Sequence, residues 1–164
     1  MKKSNTIPER ILKFDEMQQE VLRLRLKSKT IAFTNGVFDI LHEGHLALLS
    51  NAASFADVLV VGINSDASVR KIKGDERPIN NQNSRALVLA SLLMVDNVII
   101  FDEETPAELI KLIKPDVLIK GGDYTIDTIV GAKEVLASGG KVEILPREVG
   151  FSTTNIINRI SGKT

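Results

Sequence analysis

Both histidines of this chain fall in the stretch His42-Glu43-Gly44-His45, and Gly36 lies just upstream. Imidazole N–H groups donate hydrogen bonds, and a histidine beside an anion is pushed toward its cationic form from an ordinary pKa near 6.5. The apolar run Ile31-Ala32-Phe33 precedes them, and Leu46, Leu48, Leu49, Ala52 and Ala53 follow at helix-like spacing. The spacing predicts a buried strand, a tight turn, and a helix opening within or just after His-x-Gly-His. A helix N-terminus with free backbone N–H groups and flanking imidazoles suits a phosphate. One histidine could instead cap the helix while the other packs on the core. Two histidines in one turn, with glycines nearby, favour the anion site. A zinc pair is disfavoured, because no third ligand is evident in the sequence.

Three further polar clusters stand out. Lys71-Ile72-Lys73-Gly74-Asp75-Glu76-Arg77-Pro78 packs charge into a stretch that reads as a loop, either a solvated surface or a phosphate-binding lid. Its few apolar anchors, Ile72 and Ile79, predict mobility without ligand. Lys120-Gly121-Gly122-Asp123-Tyr124 has paired glycines that would let backbone approach a ligand, although a simple turn explains them equally well. Arg147-Glu148-Val149-Gly150-Phe151-Ser152-Thr153-Thr154 ends in hydroxyls, which are ordinary helix caps or a second phosphate cradle.

The elements that must position these residues alternate. Pro8 to about Lys27 reads as an amphipathic helix through Ile11, Leu12, Met17, Val21, Leu22 and Leu24, a helical extension over 1–29 beside a main domain over 30–164. Strands are expected at Thr30–Thr34, Asp57–Asn64, Asn97–Phe101, Val117–Lys120 and Val142–Leu145. Between them come helices: one ending near Phe55, a short one or a turn over 65–70, and one capped by Asn80 or Asn81 that buries Leu87, Val88, Ala90 and Leu92. A capping box at Thr105 opens the next, ending at Ile113; others span Thr128–Ser138 and Thr153–Ile160. The reading is an α/β fold, a Rossmann-like open parallel sheet of about five strands with helices on both faces. Ligands of such sheets lie outside the carboxyl ends of the strands, and every polar cluster above follows a strand.

Composition narrows the function classes. With 43% hydrophobic but only 4% aromatic residues, the core must be aliphatic, as parallel strands require. The 21 basic and 21 acidic residues cancel, which removes any bulk electrostatic case for nucleic acid or a membrane surface. Cysteine is absent, so disulfides, thiolate ligands and a cysteine nucleophile are excluded. No leader or spanning segment is evident, and the expectation is a cytoplasmic protein.

The ten-residue pattern Gly36-x-Phe38-Asp39-x-x-His42-x-Gly44-His45 resembles the signature of the cytidylyltransferase-like nucleotidyltransferases. The resemblance extends from about Thr30 to Ile160. It is nearest to the adenylyltransferase domain of the bifunctional heptose kinase/adenylyltransferases of lipopolysaccharide-precursor synthesis, through Asn64-Ser65-Asp66-Ala67-Ser68, Lys73-Gly74-Asp75-Glu76-Arg77-Pro78, Lys120-Gly121-Gly122-Asp123-Tyr124 and Gly131-Ala132-Lys133-Glu134-Val135. It implies transfer of AMP from ATP to a sugar 1-phosphate, D-glycero-β-D-manno-heptose 1-phosphate, giving ADP-heptose and pyrophosphate. Val37, Glu43 and Phe151 depart from the pattern without removing an implied phosphate ligand. The 29 residues before Thr30 are too few for a sugar kinase, so a stand-alone adenylyltransferase is expected.

The implied roles follow residue by residue. His42, His45 and Lys73 would be catalytic. Gly36, Val37, Phe38, Gly44, Gly121, Gly122, Asp123, Arg147, Ser152, Thr153 and Thr154 would bind the nucleotide. Asn35, Asp39, Arg77 and Arg85 would meet the second substrate, with a helix-surface salt bridge the alternative for Arg85. Nucleotidyl transfer needs no covalent intermediate, so positioning and charge neutralisation suffice. Mg²⁺ is expected with ATP, held mainly by phosphates and not by a protein cage. The superfamily often dimerises, which leaves a homodimer open. A CTP-using enzyme like glycerol-3-phosphate cytidylyltransferase, and a non-catalytic nucleotide-binding protein on the same fold, are the alternatives.

Overall fold

The computed structural model describes residues 6–146, 153–160 and 162. Five parallel strands, β2 (Ile31–Gly36), β3 (Val58–Asn64), β4 (Asn97–Phe101), β5 (Val117–Gly121) and β6 (Lys141–Leu145), form where the aliphatic runs lie. A sixth, β1 (Ile11–Leu12), pairs with β4 through Val98 and Ile99. The order is β1-β4-β3-β2-β5-β6. After β2 the chain builds outward on one side; β5 then returns to its other side. The order therefore reverses between β2 and β5, and a crevice opens at their carboxyl ends.

Alternation along the strands sorts the core into two layers. Ile31, Phe33, Val60, Ile99 and Leu118 face α1 (Phe14–Leu26), α5 (Ala107–Ile113) and α6 (Ala132–Ala137). Ala32, Leu59, Val61, Ile63, Val98 and Ile119 face α2 (Glu43–Ala53) and α4 (Gln82–Ala90). Phe33 is fully buried, worth about 1.5–3 kcal/mol relative to exposure. Its ring fits because Gly62 lies beside it: a Cβ there would stand 3.0 Å from Phe33 Cζ.

Several element boundaries differ from expectation, for identifiable reasons. Pro8–Arg10 is a single 3-10 turn, and the chain then extends as β1. Arg10 donates to the carbonyls of Ala90 and Val95, pinning this segment to the end of α4, so sheet pairing overrides helical periodicity. The segment before Thr30 thus contributes a strand to the sheet, and Met17, Val21 and Leu24 of α1 to its core, while Leu22 stays exposed. The α4 helix starts as expected, with Asn81 Oδ1 accepting from Ser84 N. Its buried face is Arg85, Ala86, Leu89 and Ala90, whereas Leu87 and Val88 are exposed and Leu92, past its end, is partly buried.

The Thr105 capping box does not form; α5 begins at Ala107 with no side-chain cap. The chain entering it is held upstream, where Glu103 O accepts from Ser68 Oγ. Likewise α6 starts only at Ala132, because Gly131 adopts φ +83° where a Cβ would stand 2.4 Å from Ile110 Cδ1. Finally, α3 (Asp66–Lys73) extends through Lys73, so the loop expected from Lys71 begins at Gly74.

Candidate active site

At the β2/β5 switch the strand ends enclose an open cleft of about 650 Å³. His42 occupies the N-cap position of α2 in extended conformation, and no side chain caps the helix. His45 N donates to His42 O at 2.9 Å, which leaves the Glu43 and Gly44 N–H groups at the helix start for an anion. His45 lies one turn on, and its ring stacks on that of His42 with centroids 3.8 Å apart and 23° between planes. Phe38 packs against His45 at 5.1 Å. Phe38 itself holds φ +49°, which a bulky L-residue seldom adopts, and its ring is buried. The turn is thus shaped to bring both imidazoles to one wall.

Asp39 locks that turn to the loop after α3. Its buried carboxylate accepts from Arg77 Nε (2.7 Å), Ile79 N (2.9 Å) and Asn80 N (2.8 Å), and Asn80 Nδ2 donates to Asp39 O. Burial alone would raise its pKa, but the two backbone N–H bonds and then the Arg77 guanidinium outweigh it and hold the carboxyl below its usual 3.8. Expected at the second substrate, Asp39 lies on the cleft wall with its acceptors already engaged, which makes it a positioning residue.

Arg85 likewise departs from expectation. Its buried guanidinium donates to Asn80 O (2.9 Å), Val37 O (2.7 Å) and Asp66 Oδ1 (2.8 Å), and it does not line the cleft. The reason is its place on the sheet-facing side of α4, where it braces the histidine turn from behind.

The remaining expected residues divide clearly. Asn35, Gly36, Val37, Phe38, Gly44, Lys73, Arg77, Gly121, Gly122, Asp123, Thr153 and Thr154 line the cleft together with His42 and His45. Lys73 reaches it from the last turn of α3, not from a loop. Arg77, tied through Nε, presents the rest of its guanidinium there. Gly121 allows close packing, since a Cβ would stand 2.9 Å from Leu48 Cδ1. Thr153 begins α7 (Thr153–Ile160) and reaches Ile40 O at 3.4 Å, closing the circle back to the histidine turn. Arg147 and Ser152 lie outside the described residues.

Asn64, Leu48, Ile72 and Pro146 also line the cleft and had no assigned role, and Lys120 and Tyr124 join them from the segment singled out for its paired glycines. Lys120 was detectable, as the one cation ending the apolar run Val117-Leu118-Ile119. Burial lowers its pKa to about 8. Lys73, Arg77 and Lys120 outnumber the two carboxylates of the cleft, Asp39 and Asp123, and His42 and His45 add imidazole donors, a balance that suits a phosphate.

A parallel open sheet with such a cleft at its switch point defines a ligand-binding protein of the doubly wound class. The chain belongs to the cytidylyltransferase-like family, whose profile matches residues 33–162. It is 51% identical over 147 residues to the bifunctional protein HldE of Caulobacter vibrioides, covering 90% of this chain, and 53% identical over 144 residues to that of Koribacter versatilis, covering 88%. The chain spans only 30% of the length of each. Among solved structures, the lipopolysaccharide core biosynthesis protein of Thermoplasma volcanium superposes with a TM-score of 0.59 at 28% identity, over 73% of this chain and 97% of that one. Pantoate-beta-alanine ligase of Francisella tularensis, at 16% identity and TM-score 0.62 over 92% and 76% of the two chains, shares the fold. Among the described residues no helix is long and apolar enough to cross a membrane.

Proposed function

We propose that this protein is an adenylyltransferase that joins AMP from ATP to a sugar 1-phosphate, D-glycero-β-D-manno-heptose 1-phosphate, releasing pyrophosphate. The observation that carries the reading is the stacked His42–His45 pair at the uncapped start of α2, facing Thr153, Thr154 and Gly121 across one cationic cleft. Identity of about half to HldE proteins over this region supports the sugar and the nucleotide.

In this reading a phosphate oxygen of the sugar 1-phosphate attacks the α-phosphorus of ATP. The new P–O bond forms as the bond to the β-phosphate bridging oxygen breaks, and the electron pair leaves with pyrophosphate. His42 and His45 donate hydrogen bonds to oxygens that gain charge in the transition state. Lys73 and Arg77 neutralise the reacting phosphates. Thr153 and Thr154, with Arg147 and Ser152, hold the β- and γ-phosphates, and the Gly121–Asp123 backbone holds base and ribose. Val37 and Phe38 shape the turn against the nucleotide, and Asn35 lies at the acceptor side.

Among the described residues no three His, Asp or Glu side chains gather into a metal cage. A Mg²⁺ carried in by the nucleotide and held mainly by phosphate oxygens would offset charge on the departing pyrophosphate. Cytoplasmic placement and a homodimer complete the proposal; light scattering of the purified protein tests the latter.

Pyrophosphate release tests the reaction. Turnover with ATP, Mg²⁺ and the heptose 1-phosphate, well above that with CTP and glycerol 3-phosphate, is expected. The reverse preference would assign a cytidylyltransferase, and binding without any release would assign a non-catalytic protein.

A further inference from the structure

Lys120 is the penultimate residue of β5, where the strand order reverses, and it makes no ion pair among the described residues. Its ammonium donates instead to two neutral acceptors on the neighbouring strand, Asn35 Oδ1 at 2.7 Å and Asn35 O at 3.3 Å. The Tyr124 ring centre lies 5.8 Å away. Across β6 its register partner is the apolar Ile144. The other titratable groups on the cleft among the described residues are His42 and His45 at the start of α2, Lys73 from α3, Arg77 and Asp39 from the flanking turns, and Asp123 and Tyr124 after β5. Asp39 already answers to Arg77 and two backbone N–H groups. A half-buried cation without a counter-charge is unfavourable unless its site is completed by an anion.

We infer that Lys120 is a further phosphate-binding residue of this cleft, held in waiting on the Asn35 carboxamide and transferred to a substrate phosphate oxygen when the cleft fills. The inference rests on the reading of the cleft as a nucleotidyl-transfer site and adds to it a residue that recognises charge. Either substrate supplies the same chemistry, the triphosphate of the nucleotide or the monoester of the sugar.

Burial holds the ammonium near pKa 8 in the empty cleft. An arriving phosphate restores it toward the ordinary lysine value, so binding above pH 8 takes up a proton. At pH 8.5 an unperturbed imidazole and the last phosphate ionisation have already titrated, and the uptake assigned to the lysine is the part that Lys120→Met removes.

Calorimetric titration at pH 8.5, in two buffers of different ionisation enthalpy, reads that proton. One arm uses Mg²⁺ with a non-hydrolysable ATP analogue, the other a sugar 1-phosphate, and the arm that responds names the phosphate. Wild type is expected to take up roughly half a proton or more in one arm. Lys120→Met abolishes the uptake and weakens that ligand about ten- to hundredfold, the usual span for a charged hydrogen bond. It melts at or above wild type at pH 7, because an uncompensated cation is gone. Lys120→Arg keeps the affinity but takes up no proton, since guanidinium is already charged.

Absence of uptake in both arms, or wild-type affinity in Lys120→Met, overturns the inference. So does a Lys120→Met protein that melts well below wild type and loses both ligands equally, which marks a structural lysine. A wild type that binds with Lys120-dependent uptake yet releases no pyrophosphate sinks the transferase reading and leaves this one standing. Normal turnover with an indifferent Lys120 does the opposite, and failure to bind either ligand rejects both.

Discussion

His42 and His45 are fixed by each other and by Phe38, so each can be removed without opening the core. Loss of one preorganised transition-state donor commonly costs about 2.7–4 kcal/mol. His42→Ala and His45→Ala should each lower turnover by about a hundredfold or more, measured as pyrophosphate release, with unchanged circular dichroism. Near-normal turnover in either would remove it from the chemistry. Lys73 and Arg85 separate in kind. Lys73→Ala should lose more turnover than Arg77→Ala or Arg85→Ala, because Lys73 lines the cleft without a protein ion pair among the described residues. Arg85→Ala should instead lose stability, by about 2–4 kcal/mol in urea titration, as it strands Asp66 and two carbonyls. A stable Arg85→Ala with crippled kinetics would return that residue to the substrate.

Turn and loop act as one element because Asp39 joins them. Its folded pKa lies below the unfolded value of 3.8, so the stabilisation is complete above that value and is lost as pH falls through the depressed folded pKa. Thermal melts should therefore show an acid-side decline below about pH 4 that Asp39→Asn flattens, at a cost of about 1.5–3 kcal/mol near neutrality. An unchanged acid limb in the mutant would contradict the clamp. The same bonds place slow exchange at the Ile79 and Asn80 amides and fast exchange over 75–76 in the unliganded protein. Uniformly fast exchange across 74–80 would restore the freely closing loop expected from composition.

That contrast shows what was legible. The five main strands, the Asn81 cap and the histidine turn were readable, because aliphatic runs and cap chemistry are local signals. The two-residue β1 was not, since its extended form depends on β4 and on Arg10 reaching Ala90 and Val95 some 80 positions away. The inward commitment of Asp39 and Arg85 was hidden for the same reason: a charged residue near a motif reads as a ligand until its distant partners are known. Lys120 is legible in the sequence as a cation, but only its lack of an ion pair among the described residues gives it meaning.

At the scale of the whole molecule, one sheet reversal collects pieces from distant places in the chain, among them the turn after β2, the end of α3, the end of β5 and the start of α7. Such a convergence suits the proposed two-substrate transfer, in which the cleft walls would hold the two sets of phosphates in line. The direct measurement uses ATP labelled either at the α- or the γ-phosphorus, with Mg²⁺ and D-glycero-β-D-manno-heptose 1-phosphate. The account predicts that α-label appears in ADP-heptose and γ-label in pyrophosphate. Label from the γ-position on the sugar, or no α-label in any sugar nucleotide, would contradict it.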